Sequence, residues 1–178
     1  MYISDIMTAA PEDERGALET KVYMELDRLG IGYERVDNDT VETMEECVEI
    51  SEKLGAEIRK TIVVCNRQKT EFYLVILPAA KRFDSKLFAA MMRTARVSFA
   101  SPEDMEKVIG LTPGEASVMG VLNDSEGAVQ VVIDKAVADA EWFACNPGAN
   151  TSHLRFRTKQ LINTFLTAEG HKPEIIML

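Results

Sequence analysis

Residues 61–66 (TIVVCN) and 71–77 (EFYLVIL) are β-branched and aromatic runs separated only by the polar stretch RQKT, and this spacing restricts the fold more than any other feature. Such runs suit a pleated surface, and a short polar break between them is what a hairpin needs. Lys60 stands at the mouth of the first strand and Pro78 ends the second. Upstream the spacing becomes helical: residues 17–29 carry Leu18, Val22, Leu26 and Leu29 on one face and stop at Gly30, a favourable residue just past a helix end. Residues 31–36 read as a short strand. Thr43 and Glu46 match a capping box that opens a helix ending near Leu54, with Gly55 following.

Downstream, Asp84 is placed to cap a helix bearing Leu87, Phe88, Met91 and Met92, and residues 96–100 read as a further strand. Ser101, Pro102 and Asp104 supply a side-chain cap, a first-position proline and a first-turn acid for a helix that Gly110 ends. Residues 118–122 and 128–133 flank NDSEG and read as a second hairpin. Residues 135–140 read as one helical turn, and residues 142–145 and 153–157 as strands interrupted by NPGANTS. Thr158 is expected to cap a last helix with Leu161, Ile162, Phe165 and Leu166, and residues 174–177 to add an edge strand. Strands outnumber helices and hairpins mix with helical crossovers. The expected fold class is therefore α+β, with a mixed, curved sheet rather than a regular doubly wound one.

A chain of 178 residues, 46% of them hydrophobic, suffices for one well-buried core. Residues 1–16 are expected to form an N-terminal leader and residues 17–178 a single domain. No run approaches the roughly eighteen apolar residues of a membrane span, and the start lacks a basic region followed by a hydrophobic one, so a soluble cytoplasmic protein is expected. The three cysteines, Cys47, Cys65 and Cys145, are widely spaced and suggest buried reduced thiols. The net charge of -9 is uneven: residues 1–57 hold five basic and sixteen acidic residues, residues 58–178 fifteen and thirteen. Local basic groups at Arg59 and Lys60, Arg67 and Lys69, Lys81, Arg82 and Lys86, Arg93 and Arg96, and Arg155, Arg157 and Lys159 could meet a few phosphates or simply be solvated.

The stretch LTPGEASVMGVLND, residues 111–124, places Pro113, Gly114 and Gly120 between an amphipathic segment and an apolar run. Pro113 fixes its own φ, Gly114 permits conformations closed to other residues, and Glu115, Ala116 and Ser117 are small or short enough for a ligand to approach their N–H groups. A plain connection is the alternative. The two histidines, His153 and His171, belong to no metal-binding motif, so no metal is expected. GEAS, residues 114–117, has its serine one position late for a nucleophile elbow, and Cys65 and Cys145 lie in apolar strand patterns that suit buried side chains. His153 alternates with Leu154 and Phe156 and is expected to be exposed; His171, after a helix end, is expected to cap or face solvent. What remains is Lys60 as a cation, with loops at Gly114 and Asn146 as hydrogen-bond donors.

From about residue 20 to residue 171 the chain resembles the YbaK-like prolyl-tRNA editing family, in particular its free-standing members that hydrolyse alanine from proline tRNA. The resemblance rests on Lys60 before TIVVCNRQ, then FYLVILPAAKRFD, RVSFAS, LTPGEASVMGVLND, VQVVID and the NPxxNTS segment at residues 146–152. It implies a mixed sheet curved into a partial barrel with helices around it. It also implies a deacylase without cofactor or metal, which cleaves the ester at the tRNA 3′ end with an ordered water and the substrate's own vicinal hydroxyl. Lys60 would hold the terminal adenosine and its phosphate and support the developing charge. Residues 114–118 correspond to the GxxxP loop, so Gly114, Glu115, Ala116, Ser117 and Val118 would shape the pocket, with Val118 in the place of proline.

Thr61 stands where many members have asparagine, threonine being found in the branch that acts on cysteinyl-tRNA. Asn146 stands before Pro147 where proline-editing members have histidine. An asparagine keeps hydrogen bonding but loses any proton relay. Gly148 and Asn150 are expected to hold this loop. The pocket would act as a size sieve that admits alanine and excludes proline. The partners implied are the acceptor end of mischarged tRNA and prolyl-tRNA synthetase, with the acidic amino-terminal part facing away from tRNA and the later basic groups meeting the acceptor stem. Thr61 and Asn146 also motivate a second reading, a catalytically weakened tRNA- or synthetase-binding module, and the Lys60 and Thr61 pair a third, a deacylase for another small amino acid such as cysteine.

Overall fold

The computed structural model describes residues 1–178. In chain order the elements are α1 (Ala17–Arg28), β1 (Glu34–Asp37), α2 (Val48–Leu54), β2 (Lys60–Asn66), β3 (Phe72–Leu77), α3 (Ser85–Met92), β4 (Val97–Phe99) and α4 (Pro102–Ile109). A 3-10 segment, Val118–Asn123, precedes β5 (Val129–Asp134), α5 (Lys135–Ala138), β6 (Trp142–Cys145) and β7 (Ser152–Arg157). The last helix runs from α6 (Thr158–Gln160) through the π-helical stretch Leu161–Phe165 into α7 (Leu166–Ala168), and β8 (Glu174–Ile176) closes the chain.

This is the expected α+β class, with helices around mixed sheets, but the strands divide into two open sheets and neither closes into a barrel. The larger has the order β4-β2-β3-β5-β8, antiparallel across β4, β2 and β3 and parallel across β3, β5 and β8. The smaller, β1-β7-β6, is antiparallel throughout. A bridge between Ile58 and Ala144, with Arg59 N–H donating to the Ala144 carbonyl at 2.9 Å, joins one sheet to the other. Residues Ile3 and Met7 form further bridges to Asn38 and Arg35, along the outer edge of β1.

Each sheet is buried on both faces, which is why β3 is apolar almost throughout. One face of each sheet contributes to a shared core: Val63, Leu74 and Ile76 with Phe143, Leu154 and Phe156, covered by Val22 and Leu26 of α1, Ile109 of α4 and Phe165 of the last helix. The other face of the large sheet packs Val64, Val75 and Val132 against Phe88 of α3. The other face of the small sheet packs Val36 and Ala144 against Ile50 and Leu54 of α2.

The hairpin of β2 and β3 pairs Lys60 with Leu77 and Cys65 with Phe72. Asp84 and Ser101 cap α3 and α4 through their side chains, and Gly110 ends α4 at φ 64°. Thr43 and Glu46 exchange capping-box hydrogen bonds, but one turn intervenes before α2 begins. The second hairpin does not form. The 118–123 run winds into a 3-10 segment because Ser117 caps it, its hydroxyl accepting from Met119 N–H, and because Gly120 lies so close to Ile109 that an added Cβ would stand 2.9 Å from the Ile109 Cβ. β5 then runs parallel to β3 and β8. Thr158 does not cap the last helix: Arg157 occupies the cap position, and the Thr158 hydroxyl is buried without a partner.

Asp124 starts β5 by accepting from the Ala128 and Val129 N–H groups at 2.8 and 2.9 Å. It also accepts from His171 Nε2 at 2.9 Å, while His171 Nδ1 faces the Glu169 carbonyl at 2.7 Å. His171 is therefore buried, not solvated, and ties the end of the last helix to the start of β5. Burial raises the Asp124 pKa, but the hydrogen bonds from His171, Val129 and Ala128 outweigh it and hold the carboxyl below its ordinary value. A carboxyl depressed on folding contributes stability above its unfolded pKa and loses it as pH falls through the folded value. Asp124→Ala should lower the unfolding free energy in urea at neutral pH by about 3 kcal/mol. The difference from the parent protein should start to shrink below about pH 4, the range of an unfolded aspartate, and be lost as pH falls through the lower folded value.

Candidate active site

The two sheets part beyond the Ile58–Ala144 bridge, and a cavity of about 170 Å³ opens there. Its walls come from the start of β2 (Ile58, Arg59, Lys60, Thr61), the loop after α4 (Gly114, Ala116), the loop between β6 and β7 (Asn146, Asn150), His153 of β7, and the segment that leads into α2 (Val41, Glu42, Thr43, Met44, Cys47). Lys60, Thr61, Gly114, Ala116 and Asn146 thus meet in one place, although Gly114 and Asn146 lie in loops far from Lys60 in sequence.

The other expected residues stand behind this surface. Ser117 is fully buried, and its hydroxyl donates to the Asn146 carbonyl at 2.7 Å, binding the two loops together. Val118 is buried in the core, and Pro147 is buried without lining the cavity. The Glu115 carboxylate accepts from the Thr112 hydroxyl at 2.8 Å within its own loop. Gly114, at φ 91°, adopts a conformation that other residues rarely take. Asn146 Oδ1 accepts from Gly148 N–H at 2.8 Å, so the amide shapes its own turn.

Lys60 is half-buried, and its Nζ donates to the Lys81 carbonyl. Burial lowers its pKa, with the nearby Glu45 carboxylate acting in the opposite direction. Lys81 is held in turn: its Nζ is 2.7 Å from the carboxylate of Asp134, which is 1% exposed. Cys47 reaches the cavity, but burial, aided by Glu46 and Glu45, pushes its thiol up to about 11, so it stays protonated at neutral pH. Burial likewise pushes Cys145 up to about 12.

His153 is the residue that sequence reasoning misplaced. Alternation does put it opposite Leu154 and Phe156, but that second face is covered by α2 and residues 41–47, so the ring is 2% exposed and lines the cavity. Asn38 Nδ2 donates to the Asp39 and Asn150 carbonyls at 2.7 and 3.0 Å, which turns Asn38 Oδ1 toward His153 Nδ1 at 2.9 Å. Nδ1 therefore carries the proton and Nε2 is left with a lone pair. Burial pushes the His153 pKa down to about 4, so the ring is neutral at physiological pH. The sequence signal was the amphipathic segment ending at Leu54, which needed a sheet face to cover.

Of the acidic amino-terminal part, Glu42 lines the cavity together with Val41, Thr43, Met44 and Cys47. Arg155 and Arg157 stack on the Trp142 ring at 4.3 and 4.0 Å and pair with Glu34 and Glu141. Arg82, Lys86, Arg93 and Arg96, around α3, are exposed and unpaired.

The cavity thus gathers a positioned lysine and two backbone loops, and the thiol that lines it stays protonated at neutral pH. Residues 38–164 match the family model described as the aminoacyl-tRNA editing domain, and the chain belongs to that family of aminoacyl-tRNA deacylases. The prolyl-tRNA editing protein ProX of Acetoanaerobium sticklandii is 31% identical over 131 residues, spanning 74% of this chain and 80% of the relative. Among solved structures, a protein described as a candidate trans-editing enzyme for prolyl-tRNA synthetase superposes with a TM-score of 0.68 at 18% identity, covering 93% of this chain and 98% of its own. A hypothetical protein superposes at 0.69, also at 18% identity, over 88% and 97% of the two chains. At that identity the two structures bear on the fold alone.

Ser117 links the loop at Gly114 to the loop at Asn146, so Ser117→Ala should lower stability by about 1–2 kcal/mol, measured by urea unfolding. It should also reduce deacylation several-fold through disorder of the wall, although the Ser117 side chain does not line the cavity.

Proposed function

We propose that the protein acts in trans on mischarged tRNA and removes a small aminoacyl group, with alanine on proline tRNA as the principal substrate. The observation that carries this reading is the cavity of about 170 Å³ beside Lys60. Its walls bring Lys60, Gly114, Ala116 and Asn146 around a space suited to a small aminoacyl ester. A larger side chain is excluded by overlap, whereas a smaller one only binds less well.

Water attacks the ester carbonyl carbon, the bond to the ribose oxygen breaks, and the proton passes to that oxygen with the vicinal hydroxyl of the substrate assisting. The Lys60 ammonium and the N–H groups of the 114–116 loop stabilise the negative charge that develops on the carbonyl oxygen. The protonated Cys47 thiol does not compete as a nucleophile. Thr61 beside Lys60 supports a second reading in which cysteine is the group removed. The free cations Arg82, Lys86, Arg93 and Arg96 line a route from Lys81, whose carbonyl holds Lys60, along α3, and the acceptor stem lies there. Prolyl-tRNA synthetase is the natural source of such a substrate.

A panel of mischarged tRNAs tests this directly. Alanyl-tRNA for proline should be hydrolysed and prolyl-tRNA spared, and Lys60→Ala should reduce kcat/KM by about 100- to 1000-fold. Loss of no acyl group from any member of the panel would contradict the reading, as would full activity in the Lys60 variant. Binding should weaken steeply with salt, and Arg82→Glu with Lys86→Glu should flatten the slope of log K against log salt by about 1.5–2.

A further inference from the structure

We propose that His153 is a substrate-contacting residue whose Nε2 accepts a hydrogen bond from the α-ammonium of the bound aminoacyl ester, so that the site selects esters with a free amino group over N-acylated ones. This rests on the deacylase reading and adds a recognition element to it. The imidazole is 2% exposed, lines the cavity, and is fixed by Asn38, whose amide is itself oriented by two backbone carbonyls. Nε2 has no partner in the protein. It is not among the fully buried unpartnered atoms, so it is open to the cavity, where a ligand that brings a donor can meet it.

Three donors come with the substrate: the attacking water, a ribose hydroxyl and the α-ammonium. With its pKa pushed down to about 4, the ring is a weak base and a poor choice for taking a proton from water at neutral pH. It remains a sound hydrogen-bond acceptor. An ammonium donor makes the stronger, charge-assisted bond. A small aminoacyl group also offers little else to grip: a methyl side chain supplies scant apolar area, and the amino group is its one strong polar handle. The Glu42 carboxylate on the same cavity favours a cation there, whereas Lys60 must engage the other end of the ester.

Wild type, His153→Leu and His153→Gln are compared on alanyl-tRNA and N-acetyl-alanyl-tRNA, with unfolding midpoints recorded for each. The wild type should favour the free amine. His153→Leu should lose about 10- to 100-fold in kcat/KM on alanyl-tRNA, mostly through KM, and clearly less on the N-acetyl ester, whose amide N–H is only a neutral donor. Gln, whose carbonyl accepts, should recover part of the loss. Equal losses on both esters would overturn the proposal in favour of a role in orienting water or in folding, and no loss on either would overturn it outright. A second measurement is independent of turnover: the ¹⁵N spectrum of His153 with the non-hydrolysable alanyl amide of 3′-amino-3′-deoxyadenosine. A shifted Nε2 resonance supports the contact even if no tRNA is deacylated, in which case the deacylase reading alone fails. An unshifted one at saturating analogue overturns the contact.

Discussion

The Arg59–Ala144 backbone hydrogen bond, with the Ile58–Ala144 bridge beside it, is the interaction on which the rest of the site depends. There the chain leaves the small sheet and enters the large one. Two sheets that touch at one point and twist apart leave space between them, and that space is the cavity. Lys60 comes immediately after the crossing point, and Asn146 follows the strand that ends just past Ala144. A fold with one continuous sheet would have paired these backbones and left no opening.

Burial then gives the site its chemical character. The Lys60 and His153 pKa values fall and the Cys47 value rises, and desolvation is the leading cause in all three cases. Each shift favours the uncharged form. Interactions between the remaining charges and a ligand strengthen in the same environment, because little water screens them. Under the proposed mechanism, the tether of Lys60 to the Lys81 carbonyl limits the reorganisation needed when charge develops on the ester oxygen.

Most elements were legible because local chemistry fixes them: the two runs either side of RQKT, the caps at Asp84 and Ser101, and the glycine after α4. The failures share a cause. Residues 118–122 have an apolar pattern compatible with strand or tight helical turn, and the Ser117 cap together with the close approach of Gly120 to Ile109 decides between them. His153 was placed on the correct side of its strand, but nothing local tells that the opposite face of a small sheet is covered. The site was legible in part for the same reason. Lys60 and the glycine loop stand out locally only beside plainer readings as a solvated lysine and a connector, and the family resemblance selects them, whereas Cys47, Glu42 and His153 reach the cavity through packing of α2 on β1 and β7.

Position 146 illustrates how packing reassigns roles. Read by resemblance alone, an asparagine in the place expected for histidine looks like a lost functional group. Its side-chain oxygen accepts from Gly148, which turns at φ 98° with no room for a Cβ, since one would stand 2.6 Å from Leu18. Its main-chain oxygen accepts from Ser117. Both oxygens of the residue are thus occupied in holding the wall in shape. An imidazole is nevertheless present in the same cavity, delivered by β7 and locked in one tautomer by Asn38. A pocket of this kind constrains the groups that face its interior more tightly than the strand or loop that supplies them, so the substitution at 146 is better judged together with His153 than alone.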